Sequence, residues 1–263
     1  MHFLTRLLVV LACLLLGPLA AMAKEPSDDT NKIKSLPPEQ ARKMVAEFKG
    51  PWLYLNGLTT LDADTAKALA AFKGQGLYLN VLTTLDADTA KALAEFKGQG
   101  LHLNGLITLD ADTAKALTEL KCQGLYLNGL TTLDADTTKP LAEFKGQVLS
   151  LDGLTTLDAA TAKALASLKA WDGTLPNLRT IDSPDSVAIA TALATRKGPL
   201  SLPNLKKISP MTLTALIQKE DVEIPLIETL ELIPEPDGGV TDDFVIPQWL
   251  EERQKEQRRQ QAK

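Results

Sequence analysis

Two rhythms of apolar positions alternate along most of this chain. Leu53 and Leu55 flank Tyr54, the two-residue period of a short strand. Leu58 and Leu61 follow three apart, as through a turn. From Asp62 the spacing becomes helical, with Ala66, Leu69 and Phe72 on one face and Ala68 and Ala70 small enough for close helix approach. The pattern fills 24 residues from Leu53 to Gly76 and restarts at Leu77, Leu101, Leu125 and Leu149. Units one and two differ at only two positions, Gly57 against Val81 and Ala71 against Glu95. A fixed period of this length predicts a solenoid in which each unit buries its apolar face against its neighbours.

The chain supplies its own check on the helix start. Leu61-Asp62-Ala63 aligns with Ile208-Ser209-Pro210, and Ser before Pro reads as an N-cap followed by the first helical residue. Asp62 is therefore expected to cap, with Asp64 favoured in the first turn by the helix dipole. Gly74 and Gly76 are expected to end the helix and open the next turn. Pro140 replaces Ala68 in unit four, which predicts a helix that is kinked or starts late. Unit six begins at Leu175, unit seven at Leu200, and Ile224-Pro-Leu-Ile-Glu-Thr-Leu supplies a last strand, eight in all.

The flanks read differently. Arg6 precedes the apolar run Leu7 to Ala21, and Ala21-Met22-Ala23 forms an A-x-A cleavage site, so residues 1–23 read as a secretory signal peptide. Residues 24–35 are polar and expected to be loose, and Leu36 to Gly50 is half a unit, a helical cap without a strand. The repeats span residues 51–232. Residues 233–246 read as an acidic Pro/Gly linker, and residues 247–263 as a charged helix extending from the body or fraying.

The framework L-x-L-x-x-L-x-x-L, followed by a capped helix with A-x-x-L-x-x-F-x-G, resembles the bacterial leucine-rich repeats of short period. The likeness covers about Leu36 to Leu232. It implies an α/β fold: a curved, right-handed solenoid with a parallel sheet on one face and helices on the other. The family's common role, protein–protein recognition on the sheet face, comes with it by analogy. One departure stands out, because Asn56, Asn80, Asn104 and Asn128 come two positions too early for the usual asparagine ladder.

Composition narrows the function. A net charge of -5 and no basic stripe argue against a general nucleic-acid binder. Cys13 leaves with the signal, so Cys122 is the sole thiol of the mature chain, at a position held by Gly74, Gly98 and Gly146 in sister units, and reads as a drifted glycine. One His and one Cys fall short of a zinc site, a triad or a Cys–His pair, so an enzyme is not expected and no cofactor is implied. The paired acids Asp62/Asp64, Asp86/Asp88, Asp110/Asp112 and Asp134/Asp136 have a calcium reading, but capping already accounts for them.

The position between the strand leucines is expected to face outward: Tyr54, Tyr78, His102, Tyr126, then Ser150. With strands about 4.8 Å apart, the four rings would form a continuous exposed row. Such a row either binds or merely stabilises the sheet by cross-strand stacking. Asn56, Asn80, Asn104 and Asn128 are either contacts beside that row or groups serving their own turns. The expectation is an exported, periplasmic or secreted scaffold that binds a protein partner, or a cell-envelope polymer, through its sheet face. No nucleic acid is expected as a partner, and no membrane span after signal cleavage. A structural spacer or self-associating element is the alternative, with a carbohydrate-binding surface behind it.

Overall fold

The computed structural model describes residues 30–235 and 246–261. The signal-peptide reading and most of the acidic linker lie outside those residues. Helix α1 (Pro38–Glu47) precedes five strand–helix units: β1 (Trp52–Tyr54) with α2 (Ala63–Ala70), β2 (Gly76–Tyr78) with α3 (Ala87–Leu93), and β3 (Gly100–His102) with α4 (Ala111–Leu117). The series continues with β4 (Gly124–Tyr126) and α5 (Ala135–Leu141), then β5 (Val148–Ser150) and α6 (Ala159–Ser167). Strands β1 to β5 form one parallel sheet in sequence order. Each consecutive pair is in register at the repeat, Leu53 with Leu77 and Leu77 with Leu101. The result is a repeat-like α/β fold.

The core is a set of leucine columns. Leu53, Leu55, Leu58 and Leu69, with their equivalents in the next four units, are at most 1% exposed. Each fully buried leucine contributes about 1.5–3 kcal/mol. That matters because helices of seven to nine residues, like α2 to α6, are too short to persist alone in water. Burial against the neighbouring unit holds them.

Capping follows the sequence. Asp62, Asp86, Asp110, Asp134 and Asp158 each accept a hydrogen bond from the backbone N–H three residues on, at 2.6–2.8 Å. Ser209 does the same for Thr212. Helix α5 starts where its sisters do and does not start late: Pro140 falls in its last turn, and Asp134 still caps. The glycines of Lys-Gly-Gln-Gly do not end helices by a left-handed turn. Among the described residues only Gly173 and Gly198 have positive φ. Gly74, Gly98 and Gly146 instead lie under the rings of Phe72, Phe96 and Phe144, where a Cβ would collide. Gly76 is the first residue of β2.

The later units regroup their strands. A three-stranded parallel sheet joins β6 (Thr180–Ile181), β8 (Lys207–Ile208) and β10 (Glu231–Leu232), and a two-stranded one joins β7 (Leu200–Ser201) and β9 (Val222–Glu223). The described residues thus hold ten short strands where eight are expected. The extra ones arise because loop residues such as Ile181 and Ile208 pair where the first units have only turns. Single bridges at Trp171 and Thr174 carry the first sheet's line across to β7. Helix α7 (Ser186–Ala194) packs on α6, and α8 (Pro210–Leu216) packs on α7.

Both ends are closed. From Thr30 the N-terminal segment is packed, not loose: Asn31 Oδ1 accepts the Asn56 N–H at 3.2 Å and Leu36 is buried. Helix α9 (Gln248–Gln261) folds back on the last turns and does not extend. Leu250 and Gln254 are buried, and Gln254 accepts from Ile227 N–H and donates to Pro225 O. Arg253 donates to the carbonyls of Val222 and Glu220 while lying over Trp249.

Candidate binding face

Strand alternation buries Leu53, Leu77, Leu101 and Leu125 and turns the next residue out. Pairing register places Tyr54 beside Tyr78, Tyr78 beside His102, His102 beside Tyr126 and Tyr126 beside Ser150. The four rings are half-buried and stacked. Centroids lie 4.4 Å apart for Tyr54 and Tyr78, 4.0 Å for Tyr78 and His102, and 4.1 Å for His102 and Tyr126. Interplanar angles are 20°, 5° and 5°. Internal ring faces are therefore turned on one another, and the row offers ring edges and polar tips instead of flat apolar faces.

Two features of the row were not singled out from sequence. Trp52, two residues before Tyr54 and so on the same face, meets Tyr78 edge-on at 6.2 Å. In the three following units that position is Gly76, Gly100 and Gly124, over which the rings of Tyr78, His102 and Tyr126 lean. A Cβ at Gly100 would come within 3.1 Å of His102 Nε2. The spacing Gly-x-Tyr was the available signal. Past Ser150 the aromatic character ends, and Asp172 follows the bridge that pairs Leu149 with Trp171.

Burial sets the electrostatics of the row. Desolvation lowers the His102 pKa from 6.5 to about 4, so the imidazole is neutral near pH 7. Tyr78 is raised, first by desolvation and then by Tyr54. Tyr126 is raised by desolvation and then by Asp172. Asp172 is itself raised, mainly by burial and next by Asp152. Tyr78 and Tyr126 thus present neutral hydroxyls.

The asparagines form a ladder after all. Asn56 Oδ1 accepts Asn80 N–H, Asn80 Oδ1 accepts Asn104 N–H, and Asn104 Oδ1 accepts Asn128 N–H, at 3.0–3.1 Å. Asn128 Oδ1 ends it by accepting Asp152 N–H at 3.0 Å and Ser150 Oγ–H at 2.7 Å. Each side chain serves the following unit, not its own turn. Their amide nitrogens make no hydrogen bond among the described residues.

Elsewhere the chemistry is closed off. Cys122 is buried, its Sγ 3.3 Å from Gly124 O, and desolvation pushes its thiol up to about 11. The column Phe48, Phe72, Phe96, Leu120, Phe144, Leu168 continues as Arg196 and Lys219, both buried. Arg196 lies over Trp171 at 4.7 Å and donates to the carbonyls of Leu168, Trp171 and Pro199, while Lys219 donates to Arg196 O at 2.7 Å. They tie down the irregular segment around Trp171. Among the described residues no helix is long and apolar enough to cross a membrane. No protein-family model matches this chain, and no curated protein does so either.

Proposed function

We propose that this chain is an exported, non-enzymatic scaffold of the leucine-rich-repeat type that binds a protein partner through its sheet face. Its units are read as winding into a right-handed solenoid, the hand taken by nearly all parallel strand–helix–strand crossovers. One observation carries the reading: Tyr54, Tyr78, His102 and Tyr126 stand in register and stacked on an uncovered sheet face. Rings fixed by their neighbours lose little freedom on binding, so their hydroxyls and edges act as preorganised anchors. The free amide nitrogens of Asn56, Asn80, Asn104 and Asn128 add donors alongside. Catalysis is a poor fit, since His102 is desolvated within the stack and Cys122 is buried with a raised pKa.

The carbohydrate reading is weakened because stacking occupies the faces a sugar ring would use. The spacer reading is weakened because the C-terminal helix buries Leu250 and Gln254 against the body instead of projecting. The test is capture of a partner from the producing cell's envelope fraction by immobilised chain. Tyr78→Ser with Tyr126→Ser should abolish capture while circular dichroism is unchanged. Undiminished capture by the double variant sinks the proposal.

A further inference from the structure

On the helix side, where α1 and α2 hand over to their following strands, an open cleft of about 1020 Å³ runs beside Phe48 and Phe72. A second, of about 620 Å³, shares Lys67, Ala71, Phe72 and Lys73 with it and continues to Glu95 and Lys97. Phe48 and Phe72 meet edge to face at 5.8 Å and give the cleft an apolar floor. Its rim carries Lys49, Lys67 and Lys73 against Asp64, with Arg42 already paired to Glu39.

Ala71 contributes to this arrangement. Sister units carry an acid at its position, as Glu47, Glu95, Glu119 and Glu143. One of these acids reaches across to the next unit: Glu95 Oε1 accepts from Lys121 Nζ at 2.6 Å. The same register would join a glutamate at position 71 to Lys97. Lys97, opposite this alanine, has no ion pair among the described residues, and neither do Lys67 and Lys73 beside it, although Lys91 and Lys139 each hold an aspartate of their own helix. The missing carboxylate also leaves the space beside Phe72 open. Ala71 thus withholds one cross-unit carboxylate from a groove rimmed by lysines, in a protein whose net charge is -5.

We propose that this groove binds an acidic peptide segment of a partner protein, with an apolar side chain seated on Phe48 and Phe72 and carboxylates on the lysine rim. Small-ligand sites enclose their occupant and span about 300–1,000 Å³. Two joined open clefts suit an extended chain. The site is separate from the tyrosine row and does not rest on the sheet-face reading.

The test uses the full chain and a fluorescein-labelled dodecapeptide of glutamates around a central pair of leucines, followed by fluorescence anisotropy. Binding should weaken as salt rises. Ala71→Glu, which copies the Glu95 arrangement, should weaken it about tenfold with circular dichroism unchanged. Lys73→Gln with Lys97→Gln should weaken it to a similar degree. An all-glutamate peptide of equal charge should bind about tenfold less tightly, because it cannot use the phenylalanine floor. Equal binding by the Ala71→Glu variant overturns the proposal. So does equal binding of the all-glutamate peptide, or tighter binding of phosphatidylglycerol vesicles that the Ala71→Glu substitution abolishes.

Discussion

Within each unit two residues are coupled by simple volume. Phe48, Phe72, Phe96 and Phe144 are each followed two places on by glycine, whereas Leu120 is followed by Cys122 and Leu168 by Ala170. The phenylalanine ring fills the space a Cβ would need, and the smaller leucine returns it. Cys122 is therefore the partner of Leu120 and not a stray glycine replacement. Leu120→Phe should cost about 1–3 kcal/mol by overpacking. Adding Cys122→Gly should restore most of it in urea titrations, and a simple sum of the two effects would refute the coupling. Buried and with its thiol pushed up to about 11, Cys122 should stay unreactive to Ellman's reagent until the chain unfolds. His102 makes stability depend on pH. Its folded pKa of about 4 lies below the ordinary 6.5, so the unfolded chain binds more protons between those values. Stability is full above about pH 6.5 and declines toward about pH 4. His102→Tyr, the residue of units one, two and four, should flatten that part of the profile in urea midpoints measured at pH 7 and pH 5.

Short helices and three-residue strands survive here because bonds run from unit to unit. Besides the strand ladder, Asn oxygens hold the backbone N–H of the next unit. Thr65, Thr113, Thr137 and Thr161 hydroxyls reach the carbonyls of Leu36, Leu85, Leu109 and Leu133. Asn104→Ala should leave Asn128 N–H unpaired and cost about 1–3 kcal/mol in urea unfolding. Asn104→Asp keeps an acceptor and should cost less; equal losses would show that the ladder bond contributes nothing. The strand and helix positions of the first five units were legible because period two and period 3.6 alternate cleanly in them. Later strands were not, because Ile181, Ile208 and Leu232 differ little from turn leucines such as Leu61. Which one pairs depends on the neighbouring unit. The asparagine ladder was hidden for the same reason: the sequence shows the spacing, but the partner N–H is 24 residues away.

At the scale of the molecule, the outer edges of β1 and β9 are not left bare. Asn31 meets the Asn56 N–H next to β1, and Arg253 and Gln254 occupy the carbonyls of Glu220, Val222 and Pro225 and the Ile227 amide around β9. Deleting residues 248–263 should expose that edge and drive association in light scattering. A spacer working through this helix demands the reverse, with oligomers disappearing on deletion. The helix itself was legible, yet its docking was not, since Leu250 is a lone anchor and the rest of the contact is polar. The aromatic row was legible from one column of residues, while its face-to-face stacking needed the register and the glycines beneath the rings. The rungs linking neighbours have one more implication. Asn56 presents to Asn80 what Asn80 presents to Asn104, so cutting out Leu77 to Gly100 in frame would let the flanking segments join without a mismatch. A gene lengthened or shortened by 72 nucleotides would then encode a viable protein at every intermediate size, and the reach of the molecule could change by about 4.8 Å per event.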